Sequence, residues 1–500
     1  MGGNMLYQIH PQDNVAVALE EIRAGDQVRC GQIELTAQDD IPKGHKIALR
    51  GIPKGAPVVK YGNTIGMAGE DIPAGGWVHT HDLVSQGDLR RSYVYEPAEE
   101  KIVPGKSGET FLGYRRKNGQ AGTRNYIILI SGSFCTNTHM TAFACMAAER
   151  FPKTPSFDGF LPLTHDCGCG QMGQDLINTR RVVASLIQNA NFGGAFFVEL
   201  GCENNLFETV RPYIQDFDET RFRKIHLQSE TDEYGRAMEQ LGELYELVCG
   251  DRRTPCPLSE LHIAANCGGS DGFSGITGNR LMGRLTERLV GEHGATVDIT
   301  EVPEMFGAEH ILMSRAKDRE TFEKVVELIG SFKGYIEKYG ASASGNPSHG
   351  NKLGGISSIE DKSLGCIQKG GDCAVMDVIP YGHRAKEHGL NLVWGPGSDL
   401  VGVTAQIASG ATMVLFITGR GTPVAFAAPT VKIATNSALY QRKREWMDFN
   451  AGTLIQGDTL EEKEQELFEL IVAAAEGRYA ASNERCGFYQ IGILRDGVTL

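Results

Sequence analysis

The sequence predicts an α/β protein in which a small all-β module precedes domains built on mostly parallel sheets. Three observations carry that expectation. A Pro- and Gly-punctuated repeat fills the first ninety residues, strand-like apolar runs alternate with helical stretches from Phe111 onward, and six of those runs stop abruptly at small, polar loops that often hold cysteine. At 500 residues the chain is too long for one ordinary core, so two or three domains are expected.

The repeat runs Glu21–Gly25, Asp40–Gly44, Gly51–Gly55 and Asp71–Gly75, and each copy is followed three residues later by Val28, Ile47, Val58 or Val78. Pro and Gly set the turns and the β-branched residues start short strands, which predicts a compact β-clip over 1–90. Residues 91–110 are charged and poor in pattern, with Glu99, Glu100, Lys101 and Pro104–Gly108, and read as a linker. Strand-like runs then begin at Tyr126–Ile130, Phe160–Leu163 and Phe196–Leu200, with helical stretches over 140–150 and 233–248. A seam at Gly250–Pro257 divides a second α/β domain, 111–255, from a C-terminal α/β domain, 256–500. In the latter, Leu261–Ala265, Leu392–Trp394 and Met413–Thr418 read as strands, and 319–339 and 460–475 as helices.

Composition narrows the function. A net charge of −13 with no basic tract argues against nucleic acid, while a few local Arg or Lys suffice for an anionic small molecule. No run of about 18 apolar residues occurs, and the N-terminus lacks the charged and apolar regions of a signal peptide. No membrane association and a cytoplasmic location are therefore expected. The twelve cysteines are spread without the spacing of a disulfide scaffold, and several sit in Gly-rich loops suited to reactivity or metal binding.

The six polar loops are where chemistry is expected, because ligands of open α/β sheets sit beyond the carboxyl ends of the strands. Thr164–Gln171 gathers His165, Asp166, Cys167 and Cys169 among glycines, a donor set suited to Fe, Zn or Mn. Most cysteines are small buried hydrophobes, yet Cys169, Cys202 and Cys267 each follow a strand-like run. The Cys167–Cys169 spacing is too tight for a zinc knuckle. An iron–sulfur cubane drawn from Cys135, Cys169, Cys202, Cys267 and Cys366 is conceivable, although the spacing resembles no ferredoxin. His79 and His81 alternate by two and fall on one strand face. Gly44–Lys46 and Gly419–Pro423 offer cations beside glycine for a carboxylate. There is no P-loop ending and no G-x-G-x-x-G opening a helix, which lowers the expectation of a nucleotide or nicotinamide site. Acidic residues in sharp contexts are Glu203, Asp271, Glu301, Glu304 and Asp361.

Long strings in a fixed order then point to a family. Gly44–Lys46, Lys60–Gly62, Gly122–Asn125, Gly201–Asn205, Cys267–Gly272, Thr300–Glu309, Lys362–Cys366, Gly419–Pro423, Pro429–Ser437 and the closing Gly497–Leu500 resemble the altronate and galactarate dehydratases over essentially the whole chain. The resemblance implies a SAF-type β-clip ahead of two further domains, and a divalent metal, Fe²⁺ or Mn²⁺, in preference to an Fe–S cluster. It implies a hydro-lyase that dehydrates a sugar acid, D-altronate foremost, in hexuronate (galacturonate) catabolism. Galactarate, a sulfolactate-like hydroxy acid, or sugar-acid binding without catalysis are the alternatives. One departure stands out: the chain carries Cys167 in addition to the family's single cysteine there, which leaves Cys169 as the better ligand.

Site expectations follow. The metal is expected among His45, His165, Cys169, Cys202, Glu203 and Cys267; catalytic roles on His45, Lys46, His81 and Lys362; and substrate contacts on Arg124, Asn125, Asn204, Asp271 and Arg420. The partner is a small sugar acid, with a homo-oligomer as a further expectation. The C2 hydrogen of such an acid is barely acidic, because its removal builds a dianion beside a carboxylate, so a Lewis acid explains a metal better than redox need does.

Overall fold

The computed structural model describes residues 5–87 and 92–497. The expected module boundary at 90/91 and Val498–Leu500 of the closing motif lie outside the described residues. The first module is all antiparallel: a four-stranded sheet ordered Leu6–Tyr7, Val15–Ala18, Lys46–Ala48, Trp77–Val78, a hairpin of Gln27–Cys30 with Ile33–Thr36, and a three-stranded sheet ordered Pro57–Lys60, Asn63–Ala68, Leu83–Val84. The sequence repeat has a direct physical reading. Its isoleucines pair two by two, Ile22 with Ile41 and Ile52 with Ile72, each pair exchanging both backbone hydrogen bonds. The glycine closing each copy, at 25, 44, 55 and 75, has φ between +78° and +92°, which a side chain would strain. Val28, Ile47, Val58 and Val78 all point into the module core.

Residues 92–109, which the sequence presents as a linker, are strapped onto the C-terminal domain. Ala98 N–H donates to Ser314 O, Lys101 Nζ to Ala316 O and Gly105 N–H to Val290 O, and Ile102 bridges Cys373. The low pattern of this segment reflects backbone bonding to a neighbour, which leaves few requirements on side chains.

The second domain is an excursion that leaves and returns at one place, since Thr110–Arg115 pairs antiparallel with Thr254–Pro257. Its core sheet is wholly parallel: β1 (Tyr126–Ile130), β2 (Gly159–Pro162), β3 (Phe192–Glu199) and β4 (Phe222–His226), in the order β2-β1-β3-β4. Helices α1 (Asn137–Arg150), α2 (Gly173–Ile187) and α3 (Glu233–Cys249) cover it. α1 and α3 pack with β1 and β3 in one apolar cluster through Phe143, Phe196, Leu241 and Leu244. The opposite face shares a core with the C-terminal domain, Val182, Leu186 and Phe197 packing with Ile407, Phe416 and Phe426. Asn189 and Asn191 donate across this seam to Ile407 O, Ala411 O and Thr412 O.

The C-terminal domain holds seven parallel strands: β5 (His262–Cys267), β6 (Thr296–Ile299), β7 (Val375–Ile379), β8 (Gly389–Val393), β9 (Met413–Thr418), β10 (Thr430–Ala434) and β11 (Phe449–Asn450), in the order β7-β8-β6-β5-β9-β10-β11. Nearly every central-strand residue is buried, as a sheet covered on both faces requires. The main helices are α4 (Gly278–Gly291), α5 (Arg319–Lys338), α6 (Ile359–Cys366), α7 (Asp399–Ser409) and α8 (Leu460–Ala475), with N-caps Asp318 on α5, Ser358 on α6 and a Thr459/Glu462 capping box on α8. No helix among the described residues is long and apolar enough to cross a membrane. All twelve cysteines are free.

Candidate active site

Each parallel sheet has one topological switch point, where neighbouring strands send their connections to opposite sides and leave a crevice at their carboxyl ends. In the C-terminal domain it lies between β5 and β9, because β5 leads to β6 on one side and β9 to β10 on the other. The loops after β5 and β9 are stitched together there, Gly268 N–H donating to Ile417 O and Arg420 N–H to Gly269 O. Glycine is needed at 268, where a Cβ would lie 2.4 Å from an Asp399 carboxylate oxygen.

A buried cluster of charge fills this crevice. Glu301, Glu304 and Cys366 each place a ligand atom within 4.8 Å of the others, the only such group among the described residues. Cys366 Sγ donates to Glu304 Oε2 at 3.2 Å and accepts from Lys369 Nζ at 2.7 Å. Lys369 Nζ also lies 3.5 Å from Glu301 Oε2, and Lys362 Nζ lies 2.6 Å from Glu304 Oε1. Glu301 sits at φ +67° in the left-handed region, a costly conformation for a carboxylate residue and one that cores tolerate mostly at functional sites. Asp399 opens α7 beside this group and accepts from Asn266 Nδ2 at 3.2 Å. Asn266 Oδ1 is buried without a partner.

The electrostatics follow from burial. Burial, reinforced by Glu304, pushes Glu301 well above the ordinary carboxylate range, and burial pushes the Cys366 thiol up despite Lys369. Burial would neutralise Lys369, but Cys366 and Glu301 outweigh it and hold the ammonium charged. Lys362 is likewise held above the ordinary lysine range, Glu304 outweighing its burial. Burial and then Glu304 push Asp399 up to about 6. Two ammonium groups thus face three carboxyl groups and a thiol. This donor set of carboxylate oxygen and sulfur fits Fe²⁺ or Mn²⁺.

The first module closes the crevice from one side. Lys46 Nζ donates to Asp361 Oδ2 at 2.9 Å and to Gly355 O at 2.8 Å, and Lys60 Nζ donates to Asp361 Oδ1 at 2.8 Å. All three groups are sealed from solvent. Burial would raise Asp361, but Lys46 and Lys60 outweigh it and keep it ionised well below the ordinary range. The backbones meet so closely that a Cβ at Gly272 or Gly355 would lie within 2.2 Å of Gly44 O. The gap left among Lys60, Tyr61, Asp271, Lys362 and Cys366 holds about 10 Å³, room for a single water.

The structure redistributes the residues expected from sequence. The six expected metal ligands do not form one shell. His45 is in the first module, His165, Cys169, Cys202 and Glu203 are in the second domain, and Cys267 is in the C-terminal domain. His45 Nδ1 accepts from Trp77 Nε1 at 3.2 Å, so Nε2 carries the proton toward Leu353 O; both nitrogens are engaged and burial keeps the ring neutral. His165 is engaged in the same way, by Ser131 O and Cys167 N–H. Glu203 uses its two oxygens to hold the amides of Leu200 and Gly201. Cys267 lies in the crevice, but its thiol turns to Ser270 Oγ at 2.9 Å and burial pushes it up to about 12.

Of the expected catalytic residues, Lys362 reaches the crevice, as a cation rather than a neutral base. Lys46 is a docking group, and His81 is half-exposed in the first module, 3.7 Å from Asp82. Among the expected substrate contacts, Arg124 is a buried staple to Glu484, with further bonds to Thr123 O and Ala474 O. Asn125 is held by Ser156 O, Val248 O and Asp251. Asp271 is buried and accepts from Phe273 N–H, Ser274, Thr435 and Asn436, so it braces the β5 loop. Asn204 is exposed beside Cys202 in the second domain. Arg420 stands exposed at the switch point, and its guanidinium has no protein partner among the described residues. From sequence, Lys369 carried no expectation, Asp399 only its place at the end of a polar loop, Glu301 and Glu304 only their sharp contexts, and Cys366 only a place in the conceivable cubane. The run from Thr300 to Glu309 and the Gly395–Asp399 loop after a strand were the available signals.

Comparison with known proteins divides the chain as the sheets do. Residues 4–86 match the altronate/galactarate dehydratase SAF domain, 113–249 the D-galactarate dehydratase/altronate hydrolase second domain, and 258–499 the D-galactarate/altronate dehydratase C-terminal domain. The chain is 43% identical to the altronate dehydratase of Bacillus subtilis (strain 168) and 42% identical to that of Escherichia coli (strain K12), each alignment covering 99% of both chains. It is 34% identical to the galactarate dehydratase (L-threo-forming) of Escherichia coli (strain K12), over 96% of this chain and 95% of that one.

Proposed function

Because the chain belongs to the altronate/galactarate dehydratase family, we propose that it dehydrates D-altronate to 2-dehydro-3-deoxy-D-gluconate at the β5/β9 switch point. The observation that carries the placement is the buried Glu301–Glu304–Cys366 group with a partly buried Asp399 and an unpaired Arg420 at its mouth.

Arg420 receives the substrate carboxylate, as a planar guanidinium suits. Asp399, poised near pH 6, takes the C2 proton. The C3–O bond breaks as Lys362 gives a proton to the leaving hydroxyl, which departs as water. The enol left across C2 and C3 loses the proton on its C2 oxygen and gains one at C3, which makes it the 2-keto-3-deoxy acid. Asn266 Oδ1, otherwise an orphan, accepts from a substrate hydroxyl. Glu301, Glu304 and Cys366 would hold an Fe²⁺ or Mn²⁺ ion, which when bound supplies Lewis-acid stabilisation of charge growing on the carboxylate. The free state of every cysteine supports a reducing, cytoplasmic setting.

The test is a keto-acid assay under anaerobic Fe²⁺ over a panel of aldonates and aldarates. Altronate is expected to give the highest kcat/KM, with turnover lost in Asp399→Asn and metal content lowered in Glu304→Gln. A preference for galactarate would reassign the substrate, and normal turnover in Asp399→Asn would remove the base from this crevice.

A further inference from the structure

The second domain has a switch point of its own, between β1 and β3, and the proposed dehydration makes no use of it. Cys135 follows β1, Cys169 follows β2 and Cys202 follows β3, so three neighbouring parallel strands each deliver one cysteine to the same edge. The loops that carry them are locked together. Phe134 N–H donates to Cys167 O at 2.9 Å, Asn137 Nδ2 to His165 O at 2.8 Å, and Asn205 Nδ2 to Gly132 O at 3.2 Å. The backbones touch where glycine permits. A Cβ at Gly168 would lie 2.1 Å from Gly132 O, and one at Gly132 would lie 2.0 Å from Asn205 O. All three thiols are exposed, and Cys135 foremost, with Cys202 behind it, holds the Cys169 thiol above its ordinary range.

We propose that Cys135, Cys169 and Cys202 are the protein ligands of a cubane-type iron–sulfur cluster, a site separate from the carboxylate–thiol crevice of the C-terminal domain. Two features favour a cluster over a single ion. Sulfur atoms around one tetrahedral metal stand about 3.8 Å apart for metal–sulfur bonds of about 2.3 Å. The three thiols are not drawn together within 4.8 Å, as the only such group among the described residues lies elsewhere. A cubane spreads its ligands over separate irons and needs that wider triangle. The second feature is that Glu203 and His165, two of the adjacent donors, are both spent on backbone groups.

An independent observation points to a ligand at this place. Gln171 is 2% exposed and lines a cleft of about 580 Å³ together with Cys169, Asn137 and Thr164. Its Oε1 is used by Gly168 N–H and Thr179, but its Nε2 is buried without a partner. An unpaired N–H group in the cleft that Cys169 lines suits a cluster sulfide, whose potential and stability depend on such hydrogen bonds. Three ligands leave the fourth iron without a protein ligand.

The experiment reads iron and sulfide rather than turnover, so it stands or falls apart from the dehydration reading. The full-length protein, purified and reconstituted anaerobically with Fe²⁺ and sulfide, is expected to hold about four iron and four acid-labile sulfide per chain. It should show a broad visible charge-transfer band that dithionite bleaches. Cys169→Ser and the triple serine variant should lose the sulfide while keeping the far-ultraviolet circular dichroism of the parent, and Glu304→Gln should keep it. Iron bound without sulfide, a Cys135–Cys169 disulfide that persists in reductant, or full sulfide in the triple variant would each overturn the proposal.

Discussion

The two switch points follow one topological rule and opposite chemistry. The β5/β9 crevice is sealed on one side by the first module, and its acids and cations are buried and mutually paired. The β1/β3 edge is open, and its three cysteines are exposed on loops held by backbone hydrogen bonds. A strand order dictates where a site forms, whereas burial decides what the residues there can do. Enclosed carboxyls and lysines change their proton affinity and depend on one another for stability, while exposed thiols stay open to a ligand and contribute little to the fold.

That contrast gives a graded series of tests. The largest effect is expected from Asp361→Ala, which strands two buried ammonium groups and should cost about 3–5 kcal/mol in thermal or denaturant unfolding. Because Asp361 is held below its ordinary value, its contribution is complete above about pH 4 and lost as pH falls further. An acid-induced loosening of the first module, followed by proteolysis, should therefore appear in that range, and equal acid resistance in parent and variant would contradict the pairing. Next comes Asp399→Asn, expected to lower kcat by about 10²–10⁴-fold with little change in melting temperature. The parent's kcat/KM should fall on the acid side of about pH 6 as Asp399 takes up a proton, and this limb should vanish in the variant. A limb that survives belongs to another group.

Smaller again is Arg420→Ala. Loss of one charge-assisted contact should raise KM roughly 10- to 100-fold, with Arg420→Lys recovering part of it. An unchanged KM would move the carboxylate elsewhere. Least of all, Cys169→Ser should leave the stability of the metal-free protein within about 0.5 kcal/mol. A loss of several kcal/mol would mean that the exposed edge is structural after all and would break the contrast.

Much of the architecture was legible because it depends on local signals. The run Met413–Thr418 is a strand over those same residues, and the stretches expected to be helical at 140–150, 233–248, 319–339 and 460–475 fall within or nearly within observed helices. The repeat of the first module encoded its own pairing of isoleucines. The site was less legible for a physical reason. A histidine, arginine or asparagine beside glycine looks the same in sequence whether it faces a ligand or a backbone carbonyl. His45, His165, Arg124 and Asn125 all turned out to face protein partners. Lys46 met a carboxylate 315 positions away, a pairing that no spacing could reveal.

By itself, then, the sequence determined the module order, the parallel sheets, the strands that end in polar loops and the family, since each rests on periodicity, turn chemistry or long motif strings. Only the tertiary structure decided which loops share a crevice. It drew Glu301, Glu304, Cys366, Lys362, Lys369 and Asp399 to one switch point and set Cys135, Cys169 and Cys202 at another. The reason is that partnership and proton affinity are set by strand order and burial, and both are properties of the packed sheet rather than of neighbours along the chain.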